Sequence, residues 1–118
     1  MIVDDEQPCI DELVYLFARH PNVSVSGTYT NPVKALEAAR ALNPDAVFVD
    51  VAMPYISGIE LADKLKRIDN DIQLVFVTAH SRLLEGIKKG GPCLWMLKPV
   101  SETRVKTIIE QLRSRLEC

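Results

Sequence analysis

Acidic, hydroxyl and amine side chains follow four short apolar runs of this chain, and together they could bind a cation and a phosphate group. Carboxylates that lie close together repel one another, so they either raise a pKa or recruit a cation. Oxygen ligands of this kind suit Mg²⁺, which keeps several waters and leaves room for phosphate oxygens. A lysine offers a point charge to an anion, and a threonine hydroxyl can donate a hydrogen bond to it. The residues concerned are Asp4, Asp5, Asp50, Thr78 and Lys98.

An aspartate that faces a metal, a lysine and a hydroxyl group is equipped as the acceptor in phosphoryl transfer, and Asp50 is the candidate. Each position alone also has an ordinary structural explanation. Asp50 could be a turn residue, and Asp4-Asp5 could favour the N-terminus of a helix. Thr78 could be a strand-end hydroxyl, and Lys98 a surface lysine before a turn proline. The chemical interpretation therefore depends on a fold that brings these positions together.

The strand predictions come from apolar runs and from residue alternation. Two central runs are apolar apart from Gln73 at the start of the second, as buried parallel strands are. An earlier segment alternates in part between apolar and polar residues, as a half-buried strand does. The predicted strands cover residues 1–3, 23–29, 46–49, 73–77 and 94–97, and all but the second end at one of the polar positions above.

Helical periodicity of apolar residues predicts a helix after each of these strands. Asn31-Pro32 predicts a helix start, and Asn43-Pro44 should end that helix. Further helices are predicted from about Ser57, over residues 83–89 and after a cap at Ser101. The predicted inner faces consist of Ile10, Leu13, Val14 and Phe17; Ala35, Leu36, Ala39 and Leu42; Leu61, Leu65 and Ile68; and Val105, Ile108, Ile109, Leu112 and Leu116.

Five β-α units without a linker or an internal repeat predict a single α/β domain over residues 1–118. Strands that alternate with helices imply a parallel sheet covered on both faces, with right-handed crossovers. In such sheets the working site lies beyond the carboxyl ends of the strands. Because four strands end at residues capable of chemistry, we expect one site at that edge. Gly90-Gly91-Pro92 predicts an irregular entry to the fifth strand.

The composition excludes several classes of protein. Fourteen Lys and Arg against sixteen Asp and Glu give a net charge of -2, which predicts no direct binding of nucleic acid. No apolar run approaches the ~18 residues of a membrane span, and the start lacks the apolar stretch of a signal peptide, so a cytoplasmic domain without membrane contact is expected. Cys9, Cys93 and Cys118 form an odd set without metal-ligand spacing, which argues against disulfides and a zinc site.

Four motifs resemble the receiver domain of two-component response regulators, and the resemblance covers essentially all 118 residues. It implies a flavodoxin-like (βα)5 fold with a doubly wound, five-stranded parallel sheet in the order 2-1-3-4-5. It also implies a phosphorylation-controlled switch rather than a conventional enzyme. The motifs are Val3-Asp4-Asp5-Glu6, Val49-Asp50-Val51-Ala52-Met53-Pro54 with Gly58, Val77-Thr78-Ala79 and Leu97-Lys98-Pro99.

The resemblance implies a Mg²⁺ site and names its ligands. Asp5 and Asp50 would bind the ion directly, Asp4 largely through water, and the main-chain carbonyl of Ala52 would add a ligand. Asp50 would be the phosphoacceptor, and a sensor histidine kinase would be the donor.

The resemblance also assigns residues to the attached phosphoryl group and to its lifetime. Thr78 would hydrogen-bond the group and Lys98 would pair with it. The Lys98-Pro99 peptide bond would be cis, which is plausible before proline. By the same resemblance, Ala52 and His80 occupy positions that would modulate phosphoryl lifetime. His80 would shape water access rather than act as a base, or it could simply be a solvated loop residue.

Trp95 matches the switch aromatic of the family, which would change rotamer when Thr78 moves toward the phosphoryl group. Alternatively, Trp95 could simply pack on the outer side of the last strand. The signal would reach the face formed by the fourth helix, fifth strand and fifth helix, which includes Lys88, Lys89, Trp95 and Arg104. That face would bind a partner or pair with a second copy. The resemblance extends to regulators of the LytTR class, in which a separate output domain, outside this chain, binds DNA.

Three alternatives remain open. A degenerate receiver would use the fold for binding without phosphorylation, although the full set of polar residues argues against it. An Mg²⁺-dependent phosphohydrolase would want a second Asp close after the nucleophile, and residues 51–53 supply none. A cofactor-binding flavodoxin relative would want a phosphate-binding loop after the first strand, where Asp4-Asp5-Glu6 would repel phosphate.

Overall fold

Strands and helices alternate along the chain in the computed structural model, which describes residues 1–89 and 94–116. Each predicted β-α unit is present. The strands are β1 (Ile2–Val3), β2 (Thr28–Tyr29), β3 (Ala46–Asp50), β4 (Gln73–Thr78) and β5 (Leu94–Leu97), and the helices are α1 (Gln7–Phe17), α2 (Pro32–Leu42), α3 (Gly58–Ile68), α4 (Ser81–Lys89) and α5 (Glu102–Leu116).

The five strands lie parallel in one sheet, in the order β2-β1-β3-β4-β5. This order confirms the flavodoxin-like fold that the resemblance implies. Asp50 lies opposite Val77, and Thr78 lies opposite Leu97, so β3, β4 and β5 end at the same edge of the sheet. Since β1 pairs beside β3, the turn after β1 reaches that edge as well.

Helices cover both faces of the sheet and hold its strands in place. Helices α2, α3 and α4 pack on one face, and α1 and α5 pack on the other. Val47, Val49 and Val75 of the central strands are completely buried, which explains why the interiors of those strands are apolar. The core therefore fixes the positions at which the central strands end.

The predicted helix starts at Asn31, Ser57 and Ser101 are confirmed. The Asn31 side chain accepts a hydrogen bond from the Val33 N–H, and the Ser57 and Ser101 hydroxyl oxygens each accept one from an N–H in the first turn of their helices. Asn43 ends α2 in the left-handed conformation, with φ of 49°. These contacts satisfy backbone groups that a helix end leaves without an intrahelical partner.

The second strand is shorter than predicted. Residues 23–29 were expected to pair, but β2 contains only Thr28–Tyr29. Val23 and Val25 are half-buried against the α1/α5 side of the core, so the alternation in burial was right, whereas the strand assignment was wrong for residues 23–27. Because β1 offers pairing positions only at Ile2–Val3, the earlier residues of this segment do not join the ladder.

Three residues predicted on inner helix faces lie outside the core: Val14, Leu42 and Leu116 are 38%, 36% and 48% exposed. Leu42 and Leu116 lie beside a cavity of about 430 Å³ at the amino-terminal edge of the sheet, where the two-residue strands provide little surface for packing. Val14 lies at the margin of the apolar stripe of α1. Helix α4 begins at Ser81, two residues before the predicted start.

Some predictions concern parts of the chain outside the described residues. They include the irregular segment Gly90-Gly91-Pro92, the residues Cys93 and Cys118, and the side chains of Lys88 and Lys89. Within the described part, no helix combines the length and the apolar character that crossing a bilayer requires.

Candidate functional site

The structure brings Asp4, Asp50, Thr78 and Lys98 to the carboxyl edge of the sheet. The Lys98 Nζ lies 2.8 Å from Asp4 Oδ2 and 3.3 Å from Asp50 Oδ2. Asp4, Asp50 and Thr78 are all at least 95% buried, although each is polar. Buried charges of this kind persist only when they are paired or bind an ion. The expectation of one cluster at this edge is confirmed.

Asp50 is held by the strand that it ends and by the loop that follows. The Ala52 N–H donates a hydrogen bond to Asp50 Oδ1 at 3.2 Å, and this contact orients the carboxylate. The Gly58 N–H donates to the Val51 carbonyl at 2.9 Å, which returns the chain to the end of β3. A Cβ atom at Gly58 would clash with the Asp50 carbonyl oxygen, so only glycine allows this close approach.

Asp4 and its neighbours supply the other acidic side of the site. The Asp4 Oδ1 accepts a hydrogen bond from the Glu6 N–H at 2.9 Å, which holds the carboxylate against the turn. Carboxylate oxygens of Asp4, Asp5, Glu6 and Asp50 can lie within 4.8 Å of one another. Hard oxygen ligands in such a group fit Mg²⁺. Glu6 was missed as a candidate ligand, although it belongs to the first motif.

The charges of the site perturb its titratable groups. Burial, followed by the negative charge of Asp4, raises the pKa of Asp50 to about 6. Burial lowers the pKa of Lys98, but the hydrogen bond to Asp4 and the charges of Asp50 and Asp4 outweigh it, so the pKa lies above its usual value. Lys98 therefore stays protonated and is the resident counter-ion of two buried carboxylates.

Thr78 ends β4 beside this cluster. Its hydroxyl oxygen accepts a hydrogen bond from the His80 N–H at 3.1 Å, which leaves the hydroxyl proton to be donated elsewhere. The Lys98 N–H donates to the Thr78 carbonyl at 2.8 Å and ties the ends of β4 and β5 together. The Lys98-Pro99 peptide bond is cis, as the resemblance implied.

Trp95 lies on the same face of the sheet as Thr78. It stands opposite Phe76 and two residues before the partner of Thr78, so the strand period points both side chains toward the α2–α4 side. The ring is half-buried against that part of the core. The Arg104 guanidinium lies 5.0 Å from the ring centroid, and its Nη2 donates to the Trp95 carbonyl at 2.8 Å.

A cavity of about 280 Å³ opens between α1 and the end of β5, and Cys9 lies on its wall together with Asp4 and Lys98. Burial, followed by the negative charge of Asp4, raises the pKa of the Cys9 thiol. Cys9 was considered only as one of three cysteines in the sequence. Its position in the first turn of α1, close behind the acidic motif, is the signal that would have placed it here.

Comparisons with known proteins agree with this geometry. The family model described as the response regulator receiver domain matches residues 1–110. An uncharacterized response regulatory protein of Vibrio cholerae is 33% identical over 114 residues, which are 95% of this chain and 47% of that protein. The sensory transduction protein LytT of Oceanobacillus iheyensis is 31% identical over 118 residues, or 98% of this chain and 48% of that protein.

The chain thus spans about half the length of the curated relatives it matches. Among solved structures, the receiver domain of AraT, a response regulator from Geobacillus stearothermophilus, superposes with a TM-score of 0.87 at 21% identity. That match covers 98% of this chain and 92% of the other, and it supports the fold. The extent of the family match shows that this chain belongs to the response regulator receiver domains of two-component systems.

Proposed function

We propose that this domain is a signalling switch that accepts a phosphoryl group on Asp50 from a sensor histidine kinase. The observation that carries this proposal is that Lys98 pairs with two buried carboxylates, those of Asp4 and Asp50, at the carboxyl edge of the sheet. A buried carboxylate with a fixed ammonium group beside it suits an acceptor whose product carries additional negative charge.

The cluster of carboxylates formed by Asp4, Asp5, Glu6 and Asp50 is proposed as a Mg²⁺ site. Asp5 and Asp50 would bind the ion directly, Asp4 would act through water, and the Ala52 carbonyl would complete the protein ligands. When bound, Mg²⁺ neutralises charge on the carboxylates and on the incoming phosphoryl oxygens. The clustering of the carboxylates and the buried position of Asp50 support this assignment.

Phosphoryl transfer requires one bond to form and one to break. An Asp50 carboxylate oxygen bonds to phosphorus while the bond from phosphorus to the donor's imidazole nitrogen breaks, and the imidazole leaves with the electron pair. Lys98 pairs with the phosphoryl oxygens, and the Thr78 hydroxyl donates a hydrogen bond to them. The domain thus takes part in its own phosphorylation and, with water, its autodephosphorylation, which Ala52 and His80 would modulate.

The signal would pass from Thr78 to Trp95 and then to the face formed by α4, β5 and α5. The common orientation of Thr78 and Trp95 supports this route, and Arg104 links the ring to α5. Phosphorylation would bias an equilibrium between two conformations of that face and so favour a homodimer or another protein partner. In a longer protein, an output domain of the LytTR type would regulate transcription from the cytoplasm, with DNA bound by that domain alone.

The first test is the intact mass of the protein after incubation with a small-molecule phosphodonor and Mg²⁺. We expect a single phosphoryl adduct that disappears in the Asp50→Asn variant and in the presence of a chelator. The single tryptophan should also change its emission when the adduct forms. A folded protein that gains no adduct from a donor shown to be competent would reduce the proposal to a receiver that binds partners without phosphorylation.

A further inference from the structure

Tyr55 projects from the middle of the loop between β3 and α3, and its side chain is almost entirely in solvent. The residue is 94% exposed, and its φ is 71°. This value lies in the left-handed region, where a bulky residue is an outlier. The Ile56 N–H donates a hydrogen bond to the Pro54 carbonyl at 2.9 Å, so Tyr55 is the central residue of a three-residue γ-turn with positive φ. That form of the turn is rare and strained.

The rest of the loop holds Tyr55 in this conformation. Met53 and Ile56, on either side of the turn, pack against the α2–α4 side of the core. The Gly58 N–H bonds to the Val51 carbonyl and closes the loop behind them. Strained residues persist only where the surrounding structure over-determines them, and such residues concentrate at functional sites. The packed loop therefore holds the exposed Tyr55 ring in one position at the surface.

Folding alone favours a different residue at this position. Glycine adopts positive φ without steric cost, whereas the tyrosine ring adds strain and buries almost no surface within the domain. A residue that lowers stability and makes little contact within the domain is expected to contact another molecule. Stability is commonly lost in this way where a residue serves binding.

The position of Tyr55 identifies the partner that would meet it. Gly58 touches the backbone of Asp50, and three peptide units separate Gly58 from Tyr55, so their Cα atoms are at most about 11 Å apart. A typical interface covers about 800 Å² of each protein, which corresponds to a radius of about 16 Å. Tyr55 therefore lies within the footprint expected of a protein that delivers a phosphoryl group to Asp50, whereas a small phosphodonor does not need to touch it.

We infer that Tyr55 is an aromatic anchor that seats the phosphohistidine-bearing donor protein on this domain. The inference rests on the proposed function, because it assumes that Asp50 receives a phosphoryl group. Tyrosine is enriched among the residues that dominate interface energies, since its rigid ring combines apolar contact area with a polar hydroxyl. Ile59, 47% exposed in the first turn of α3, extends the apolar surface beside the loop.

The test compares two donors on three variants, Tyr55→Phe, Tyr55→Ala and Tyr55→Gly. One donor is a small-molecule phosphodonor. The other is the member of a panel of autophosphorylated sensor kinases that phosphorylates the unaltered chain fastest. Asn43→Gly, which alters the other left-handed position at the far end of α2, is the matched backbone control.

We expect Tyr55→Ala and Tyr55→Gly to lose about tenfold or more in kcat/KM with the kinase, mainly through KM, because removal of an anchor residue weakens binding. Tyr55→Phe and Asn43→Gly should stay near the unaltered rate. With the small donor, all four variants should react at the unaltered rate. Unchanged kinase rates in the Ala and Gly variants would overturn the inference, and so would equal losses with both donors.

Stability measurements test the strain itself. At an ordinary position alanine is more stable than glycine, but at positive φ the order reverses. We therefore expect Tyr55→Gly to unfold at a higher denaturant concentration than Tyr55→Ala. The ordinary order would show that Tyr55 is not strained and would remove the basis of the inference. If the unaltered chain accepts a phosphoryl group from neither donor, the proposed function itself fails, which is a different outcome.

Discussion

At the scale of single residues, the site pairs two buried carboxylates with one partly buried amine. Lys98 lies within 3.3 Å of both Asp4 and Asp50, and it offsets part of their mutual repulsion. Removing Lys98 from this group would be costly, because it would leave two buried carboxylates uncompensated. Burial, followed by the negative charge of Asp4, raises the pKa of Asp50 to about 6 in spite of this pairing.

The raised pKa of Asp50 predicts how the free energy of unfolding changes with pH. An unfolded chain releases the Asp50 proton near the ordinary pKa of 3.8, whereas the folded chain releases it near 6. The folded state binds the proton more tightly, so the contribution of Asp50 to the free energy of unfolding is full below pH 4 and is lost as the pH rises to 6. With chelator present at pH 7, we expect Asp50→Asn to be more stable than the unaltered chain by about 1–3 kcal/mol.

Denaturant unfolding of both proteins at pH 4.5 and pH 7 checks this expectation. The difference should shrink at the lower pH, because the unaltered Asp50 is then largely protonated when folded. An Asn variant that is less stable at both pH values would contradict the raised pKa.

At the scale of elements, the junction between β3 and α3 leaves no room for a side chain at Gly58. A Cβ atom at Gly58 would lie 2.7 Å from the Val51 Cα and would also meet the Asp50 carbonyl. Backbone atoms cannot move aside as a flexible side chain can. The position therefore decides whether Asp50 and the loop after it keep their geometry.

We expect Gly58→Ala to destabilise the fold by about 1–3 kcal/mol, as overpacking of a filled space does, and to slow phosphorylation of Asp50 by the small donor. Gly86→Ala is a matched control, because a Cβ atom at this exposed position of α4 meets nothing within 4 Å. Since glycine is a poor helix residue, Gly86→Ala should stabilise the fold by about 0.5–1 kcal/mol. Thermal unfolding measures both, and equal effects of the two changes would count against a clash at Gly58.

The same scale shows how far the sequence could predict the fold. The central strands were predicted because burial on both faces favours apolar residues along the run, and α2 and α3 because their caps are local signals. The strand predicted over residues 23–29 was too long, because alternating burial does not require a neighbouring strand. In addition, β1 supplies only two residues for pairing. The exposure of Leu42 and Leu116 depends on what lies beneath the helix ends, which periodicity alone does not reveal.

At the scale of the whole molecule, residues at the ends of four strands meet only because the sheet has this strand order. The positions of Asp4, Asp50, Thr78 and Lys98 were predictable, since each follows a recognisable strand. Cys9 was not, because its approach to Lys98 depends on how α1 packs across the sheet. Residues whose position follows from the strand order alone were therefore predicted. Cys9, whose position depends on how a helix packs on the sheet, was missed.

Mg²⁺ should stabilise the folded molecule as a whole, because the acidic residues converge only in the native sheet. At a concentration 100 times its dissociation constant, an ion that binds only the folded state adds about 2.7 kcal/mol to the free energy of unfolding. We expect a higher thermal midpoint with Mg²⁺ for the unaltered chain and most of that increase to vanish in Asp5→Asn. Asp71→Asn removes the same charge from an exposed turn outside the cluster and should keep it. An equal Mg²⁺ response in the two variants would place the ion elsewhere.

The ion pair between Lys98 and Asp50 joins residues 48 positions apart, and the lysine follows the last strand of the sheet. Contacts between distant parts of a chain form late in folding, because long loops must close first. A copy still emerging from the ribosome, or one cut short before β5, has Asp50 but lacks Lys98. Under the proposed function, such incomplete copies would not accept a phosphoryl group, so only a chain completed through β5 could signal.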